Sequence, residues 1–331
     1  MQRPFRNSRL PHQSSPRSAH RQAFSLIELM VVMLIISLLM GLLLVGVRGA
    51  ISSVRVASVT VDLKNLENAI LNFKVKYGVD PPSGVIVFES PTGWSGSVPS
   101  PAEVRRSRNL IRQIWPDFDF SIPRDLNGDS DTTDRYVLNG AECLVFFLGG
   151  VPVRTGNPDG PWVLNGFSEN ATDPLSQGGA RVGPFFEFDP SRLMNFEGDS
   201  STDPEYMPEY RDSLPSQKNP ILYASSYGGL GYRDADVQLT SQPVYSTGYS
   251  TPPTGFAYVY RRYTGSYPAS TTNFNSAPFL SPKSVQLISP GIDGEYGWGG
   301  LLNNDMELVE PRIERAAERD NITNFKNGKI N

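Results

Sequence analysis

The sequence predicts an α+β protein in which one long N-terminal helix packs on an antiparallel β-sheet head with long loops. Residues 24–77 contain no proline and three glycines, whereas residues 78–331 hold 25 of the 28 prolines and 27 of the 30 glycines. The uninterrupted segment predicts a continuous helix, and the short apolar runs that follow it, each closed by Gly, Pro, Asn or Ser, predict strands. Helix first and short strands later is typical of the α+β class.

Composition restricts the class of protein. The 331 residues are 39% apolar and 19% charged, with a net charge of −4, which excludes collagen-like, highly charged disordered and multi-span membrane proteins. Residues 1–23 carry five arginines and no acid, so the remainder has a net charge of −9. An acidic body argues against nucleic acid as the partner, because phosphate binding needs a clustered basic surface.

The apolar run of residues 24–47 is long enough to cross a membrane, since 24 residues at about 1.5 Å each exceed a hydrocarbon core of about 30 Å. Its only charge is Glu28. The arginines before the run and the acidic body after it predict a single span with a cytoplasmic N-terminus and an exported head. The predicted divisions are a basic leader at 1–23, a transmembrane half-helix at 24–47, an amphipathic half-helix at 48–77 and a head at 78–331.

Residues 23–28 read Ala-Phe-Ser-Leu-Ile-Glu. This string resembles the class III signal of type IV pilins and type II secretion pseudopilins, in which glycine precedes Phe-Thr-Leu-Ile-Glu. The resemblance implies that a prepilin peptidase cuts between Ala23 and Phe24 and methylates the new Phe24 amine, with Ala23 standing where the family has glycine. The alternative is a simple uncleaved anchor.

Glu28 is unusual because an acidic side chain inside a bilayer costs about 2.5–3.5 kcal/mol on insertion scales and persists only with a partner or a function. The resemblance implies that the partner is the cationic Phe24 amine of a neighbouring subunit, a pairing that sets the register of a helical filament. A protonated carboxyl group near the membrane edge is the alternative.

The second half of the predicted helix carries one apolar stripe, with spacings of four and three residues. Gly78 predicts the C-terminal cap, and Pro81 with Pro82 prevents continuation. A helix over residues 24–77 is about 80 Å long. The stripe consists of Val59, Leu63, Leu66, Ile70, Phe73 and Tyr77.

In the head the sequence predicts helices near 102–114 and 140–148, and strands at 85–88, 185–188, 221–225, 256–260 and 285–289. The single cysteine, Cys143, lies in the second helix and is interpreted as a buried small hydrophobe rather than a reactive thiol.

Nine of the 14 tyrosines lie within 223–267. They predict either a surface that stacks on sugars or aromatic partners, or long loops packed by their own rings.

Two acidic loops are candidate calcium sites. In the first, Asp125, Asn127 and Asp129 place oxygen side chains at every second position, as a calcium-binding loop does, although an ordinary Asp/Asn/Gly turn is the alternative. In the second, residues 289–294 (Ser-Pro-Gly-Ile-Asp-Gly) and 320–325 (Asp-Asn-Ile-Thr-Asn-Phe) resemble the calcium loop that ends the major pseudopilin. That resemblance implies Asp293 and Asp320 as ligands, with Asn321 standing where the family has aspartate.

The sequence offers little for catalysis. The only histidines, His12 and His20, lie in the leader, no nucleotide-binding loop is found, and no organic cofactor is expected.

The resemblance implies a non-enzymatic pseudopilin or type IV pilus-like subunit that polymerises with itself or with other pseudopilins. It implies a prepilin peptidase, an inner-membrane assembly platform and a secretion ATPase as partners, and an inner-membrane location followed by a periplasmic or surface filament. The alternatives are a minor pilin or adhesin whose tyrosine-rich head binds glycans or secreted substrate, and a membrane-tethered enzyme using pairs such as Asp203 and Glu205.

Overall fold

The computed structural model divides the chain into two compact units. The first ends at Ile51 and the second begins at Ser52, and each is described by itself. The described residues are 25–155, 160–194, 207–215, 217–233, 236, 259–263, 277–296, 299–309 and 316–330.

Helix α1 comprises Leu26–Tyr77, 52 residues. It ends where the sequence predicts, because Gly78 adopts φ +80°, a left-handed conformation that favours glycine, and its N–H donates to the Lys74 carbonyl at 2.7 Å. Phe24, the predicted first residue, lies outside the described part of the chain.

The predicted stripe of α1 is buried in the core of the second unit. Val59, Leu66 and Phe73 are fully buried, and Tyr77 packs at the edge of the same cluster. The Phe73 ring lies 5.9 Å from Phe147 and 5.3 Å from Phe185, centroid to centroid. The amphipathic half of α1 is therefore part of the hydrophobic core of the head.

The largest sheet has four antiparallel strands in the order β14-β13-β11-β9. Its core-facing residues, including Tyr223, Leu287 and Ile322, belong to the cluster that contains the α1 stripe. The strands are β9 (Leu222–Ser225), β11 (Val285–Ser289), β13 (Ile322–Thr323) and β14 (Gly328–Lys329). The architecture is an α+β pilin-like fold, as predicted.

Two further helices complete the core and lie where the sequence predicts them. Helix α2 (Pro101–Ile114) is capped by Ser100, whose hydroxyl accepts from the Glu103 N–H at 3.2 Å. Helix α3 (Gly140–Gly149) begins with a capping box, in which Asn139 and Glu142 each accept the other's backbone N–H. Every residue of α3 is buried because the helix is surrounded by the core.

Short ladders complete the described head, and most of them pair antiparallel. The antiparallel pairs are β1 (Val85–Phe88) with β2 (Arg135–Leu138), β3 (Pro152–Arg154) with β4 (Trp162–Leu164), β5 (Phe167–Ser168) with β6 (Arg181–Val182), and β7 (Leu193–Met194) with β8 (Glu209–Tyr210). The parallel pair is β10 (Arg261–Arg262) with β12 (Leu301–Leu302), and Ala316–Arg319 forms one helical turn.

The predicted strand at 185–188 is wrong. The backbone N–H groups of Phe185 and Phe186 donate to the Leu148 carbonyl at the end of α3, at 2.7 and 3.3 Å, instead of pairing with a strand. The aromatic run is apolar because its rings pack against the core and against each other. At the predicted strand 256–260, residues 256–258 lie outside the described part, and Val259 and Tyr260 are buried but not in a strand.

Candidate functional site

The first turn of α1 forms a capping box between Ser25 and Glu28. The Ser25 N–H donates to Glu28 Oε2 at 2.9 Å, and the Glu28 N–H donates to Ser25 Oγ at 3.2 Å. These two bonds satisfy N–H groups that the start of a helix leaves without intrahelical partners. Glu28 is exposed, so its carboxylate is held at the helix start while remaining accessible. Ala23, Phe24, His12 and His20 lie outside the described residues.

The apolar segment after this turn, Leu26–Leu43, is 18 residues long and none of it is buried. At about 1.5 Å per residue it spans about 27 Å, close to the thickness of a hydrocarbon core. Its length and composition are compatible with a single-pass membrane anchor.

The two predicted calcium residues of the second loop are brought together. The Asp320 carboxylate accepts from the N–H groups of Ile292 and Asp293 at 2.5 and 3.1 Å, and Asp293 Oδ1 accepts from the Glu295 N–H at 2.9 Å. Although Asp293 is an exposed residue, partial desolvation of its carboxylate, together with the nearby Asp320 charge, raises its pKa from 3.8 to about 7. The carboxyl groups of Asp293 and Asp320 therefore lie close together at the turn formed by residues 291–294 and repel each other when both are charged.

The structure also decides between Asp320 and Asn321 as the residue that faces Asp293. Asn321 is fully buried and its amide donates to the Tyr260 hydroxyl and the Tyr296 carbonyl, at 2.9 and 2.7 Å. Asp320, rather than Asn321, therefore binds the turn that contains Asp293.

The donor set at this turn fits a hard cation. Asp320 Oδ1 is buried without a hydrogen-bond partner, and carboxylate oxygens are ligands that calcium prefers. Among the described residues no group of three or more His, Cys, Asp or Glu side chains converges as a metal site. A calcium ion at Asp293 and Asp320 would therefore need backbone carbonyls as well, and calcium here stays a prediction.

In the first loop the predicted side chains bond to the backbone of the loop itself. Asp125 accepts from the N–H groups of Gly128 and Ser130 at 2.6 and 3.0 Å, and Asn127 Oδ1 accepts from the Asp129 N–H at 3.1 Å. The Asn127 bond is that of an Asx turn, in which the side chain accepts the N–H two residues on, whereas Asp125 accepts N–H groups three and five residues on. The three predicted residues share one loop, with their side chains bonded to the loop itself, and a calcium site at this loop also stays a prediction.

The sequence did not identify Glu89, whose side chain binds the backbone of this loop. Its buried carboxylate accepts from the Leu126 N–H at 2.6 Å, and burial with the Asp134 charge raises its pKa to about 7. The signal that could have found it is a carboxylate directly after the apolar run Val85–Phe88. A charged group in that position either ends the strand or, as here, binds backbone donors.

Comparison with known families finds the model of the prokaryotic N-terminal methylation motif at residues 18–44. The chain carries a prepilin-type signal. The match supports a type IV pilin-like or pseudopilin precursor that prepilin peptidase processes. No curated protein and no solved structure matches the chain.

In the head of this prepilin-type chain, Cys143 is fully buried, and burial raises the pKa of its thiol well above the ordinary value. A reactive cysteine needs an accessible thiolate, so its interpretation as a buried hydrophobe is confirmed.

The tyrosines that the structure describes favour packing over an open stacking surface. Tyr223 and Tyr260 are fully buried, and the hydroxyl groups of Tyr223 and Tyr232 donate to the carbonyls of Pro81 and Ser281 at 2.6 and 2.7 Å. Tyr245, Tyr249, Tyr258, Tyr267, Asp203 and Glu205 lie outside the described residues.

Proposed function

We propose that the protein is a non-enzymatic structural subunit of a type II secretion pseudopilus or a type IV pilus-like filament. The observation that carries the proposal is the prepilin-type signal on an 18-residue apolar helix that is wholly exposed, with a carboxylate in its first turn. The leader is removed between Ala23 and Phe24, and the subunit is stored in the inner membrane with its head in the periplasm. Partner subunits then bury the apolar helix in the filament.

The exposed apolar surface of this helix supports polymerisation. Large apolar side chains exposed on a folded protein mark a surface that a membrane or another protein covers. In Leu26–Leu43 the bilayer covers them before assembly and the helices of other subunits cover them afterwards. The assembly platform and the ATPase that extract the subunit are separate proteins, because the sequence contains no nucleotide-binding loop.

Processing is tested by mass spectrometry of the full-length protein from cells that express a prepilin peptidase. We expect residues 1–23 to be absent and Phe24 to carry one added methyl group. Ala23→Gly restores the family residue and is expected to accelerate cleavage, whereas Ala23→Glu is expected to block it. An intact arginine-rich leader in the wild-type protein would contradict the proposal.

We further propose that Asp293 and Asp320 bind calcium. The proposal is supported by the bond from the Asp293 N–H to the Asp320 carboxylate and by Asp320 Oδ1, which lacks a partner. Calcium at tenfold its Kd is expected to raise the Tm by about 2–4 °C. Without the ion, the raised Asp293 pKa adds stability at low pH that is lost as pH rises from 3.8 through about 7. Calcium replaces the proton, so its effect is expected to be larger at pH 8 than at pH 5.5.

The measurement is thermal unfolding of the full chain in detergent, with calcium or with a chelator. Asp293→Asn is expected to remove the calcium response, and Asp125→Asn in the first loop serves as the matched control that keeps it. If the Asp293→Asn variant still responds to calcium, the ion binds at another site. If the wild-type protein does not respond to calcium, neither loop binds it.

A further inference from the structure

A groove of about 770 Å³ lies between the end of α1, the exposed side of α2 and the turn that follows β9. Lys74 and Asp80 border it at the α1 end, Arg105 and Arg106 line it from α2, and Leu230 lines it from the turn. Arg105 is exposed, and the Leu230 side chain is 91% exposed. The groove thus combines an accessible cation with an accessible apolar side chain.

The charge that the groove presents to solvent is positive, on a body that is acidic overall. Among the residues that line it, Lys74, Arg105, Arg106 and Arg233 are cationic, and Asp80 is acidic. The acidic groups there are already paired, since the buried side chain of Asp80 pairs with Lys74 at 2.9 Å, and Asp236, buried next to the groove, lies 3.5 Å from Arg106. The Arg106 guanidinium also donates to the Gly84 carbonyl at 2.8 Å, and Arg233 pairs with Glu103 at 2.9 Å. Arg105 is therefore the cation of the groove that is directed to solvent.

A surface of opposite charge lies at the other end of the same β-ladder. Gly84, which accepts a hydrogen bond from the groove residue Arg106, directly precedes β1, whereas Glu89, which binds the acidic loop 125–134, directly follows it. The two surfaces are separated by the length of β1, about 13 Å at 3.3 Å per residue. The loop contains no Lys or Arg, and its acids are Asp125, Asp129, Asp131 and Asp134, of which Asp129 and Asp131 are exposed.

We propose that this groove receives the acidic loop 125–134 of a second copy of the chain. The inference rests on the proposed filament and names a contact between heads within it. Charge complementarity selects the occupant, because the chain itself presents a cluster of exposed aspartates without an intervening cation.

The placement of the two surfaces also suits a filament. A groove and its occupant at opposite ends of one ladder make a heterologous contact, in which each head offers one surface to the copy before it and the other to the copy after it. Such contacts repeat without closing unless the rotation makes a ring. Exposed charge pairs are screened by salt, so the contact weakens as ionic strength rises.

The test uses charge reversal in the full-length protein, expressed in cells with a filament assembly system, with sheared filaments quantified. Arg105→Glu alone and Asp129→Arg alone are each expected to reduce filament yield on the order of fivefold. The double variant restores the opposite charges and is expected to recover most of the yield. Lys218→Glu, also an exposed change from cation to acid, is the control and is expected to assemble as the wild type does.

A second measurement does not depend on yield. Arg105→Cys combined with Asp129→Cys, treated with a bis-maleimide to which each thiol adds, is expected to give cross-linked ladders in filaments, with no contribution from Cys143, which is buried. Normal assembly of both single reversals, or absence of cross-linked ladders, would overturn the contact while the filament proposal survives. Failure of the wild-type chain to be processed or to assemble would overturn the filament proposal, and the contact with it.

Discussion

Filaments are expected to disappear, by tenfold or more, when Glu28 is replaced by alanine, while removal of the leader continues. A carboxylate costs about 2.5–3.5 kcal/mol at the centre of a spanning helix on insertion scales and less toward the helix end, and pairing with the Phe24 amine of the next subunit offsets the cost at Glu28. Alanine removes the pairing and so removes the interaction that selects one register between subunits. The measurement is filament yield alongside mass spectrometry of the processed N-terminus.

A control separates this role from local helix stability. Glu28 also accepts the Ser25 N–H at 2.9 Å, so Glu28→Ala weakens the start of α1 as well. Ser25→Ala removes the reciprocal hydroxyl bond of the capping box and keeps the carboxylate, at a typical cost of about 1 kcal/mol. We expect Ser25→Ala to retain filaments. Equal loss in both variants would assign the effect to the helix cap, and normal assembly of Glu28→Ala would exclude a register role.

The free energy of unfolding of the head is expected to fall by about 3–5 kcal/mol when Phe73 is replaced by alanine. The Phe73 ring is fully buried and contacts the rings of Tyr77, Phe147 and Phe185, with centroids 4.6, 5.9 and 5.3 Å away. Alanine leaves a cavity where α1 joins the core, and the rigid surroundings close it only in part. Urea denaturation of the full chain in detergent, followed by tryptophan fluorescence, measures the loss.

Val75 provides the matched control on the same helix. Its side chain is 86% exposed, so Val75→Ala is expected to change the free energy of unfolding by less than about 0.5 kcal/mol. A similarly small effect of Phe73→Ala would mean that the head is stable without the α1 stripe. The two variants together separate burial of one face of α1 from the helix propensity of the segment.

Sequence periodicity predicted the local elements well where one pattern dominates. The stripe from Val59 to Tyr77, the cap at Gly78 and the strand Val85–Phe88 all lie where they were predicted. The run at 185–188 was misread because an apolar segment can be a strand or an irregular segment of the core. The choice depends on which carbonyls are near, and here the Leu148 carbonyl at the end of α3 accepts the N–H groups.

The candidate sites divide in the same way. The signal at residues 23–28 is local in sequence and was readable without a structure. The orientation of Asp320 toward Asp293, with Asn321 turned into the core, was not readable, because it depends on Tyr260 and Tyr296 from distant parts of the chain.

The sequence by itself determined the prepilin-type signal, the apolar segment and the long helix, since each depends on neighbouring residues and on a repeat of one helical turn. Only the tertiary structure showed that Glu89 binds the backbone of the acidic loop. It also showed that the groove lies near one end of β1 and the acidic loop near the other. Both depend on contacts between residues tens of positions apart. Burial, charge pairing and access to solvent are properties of the folded surface, and no local pattern specifies them.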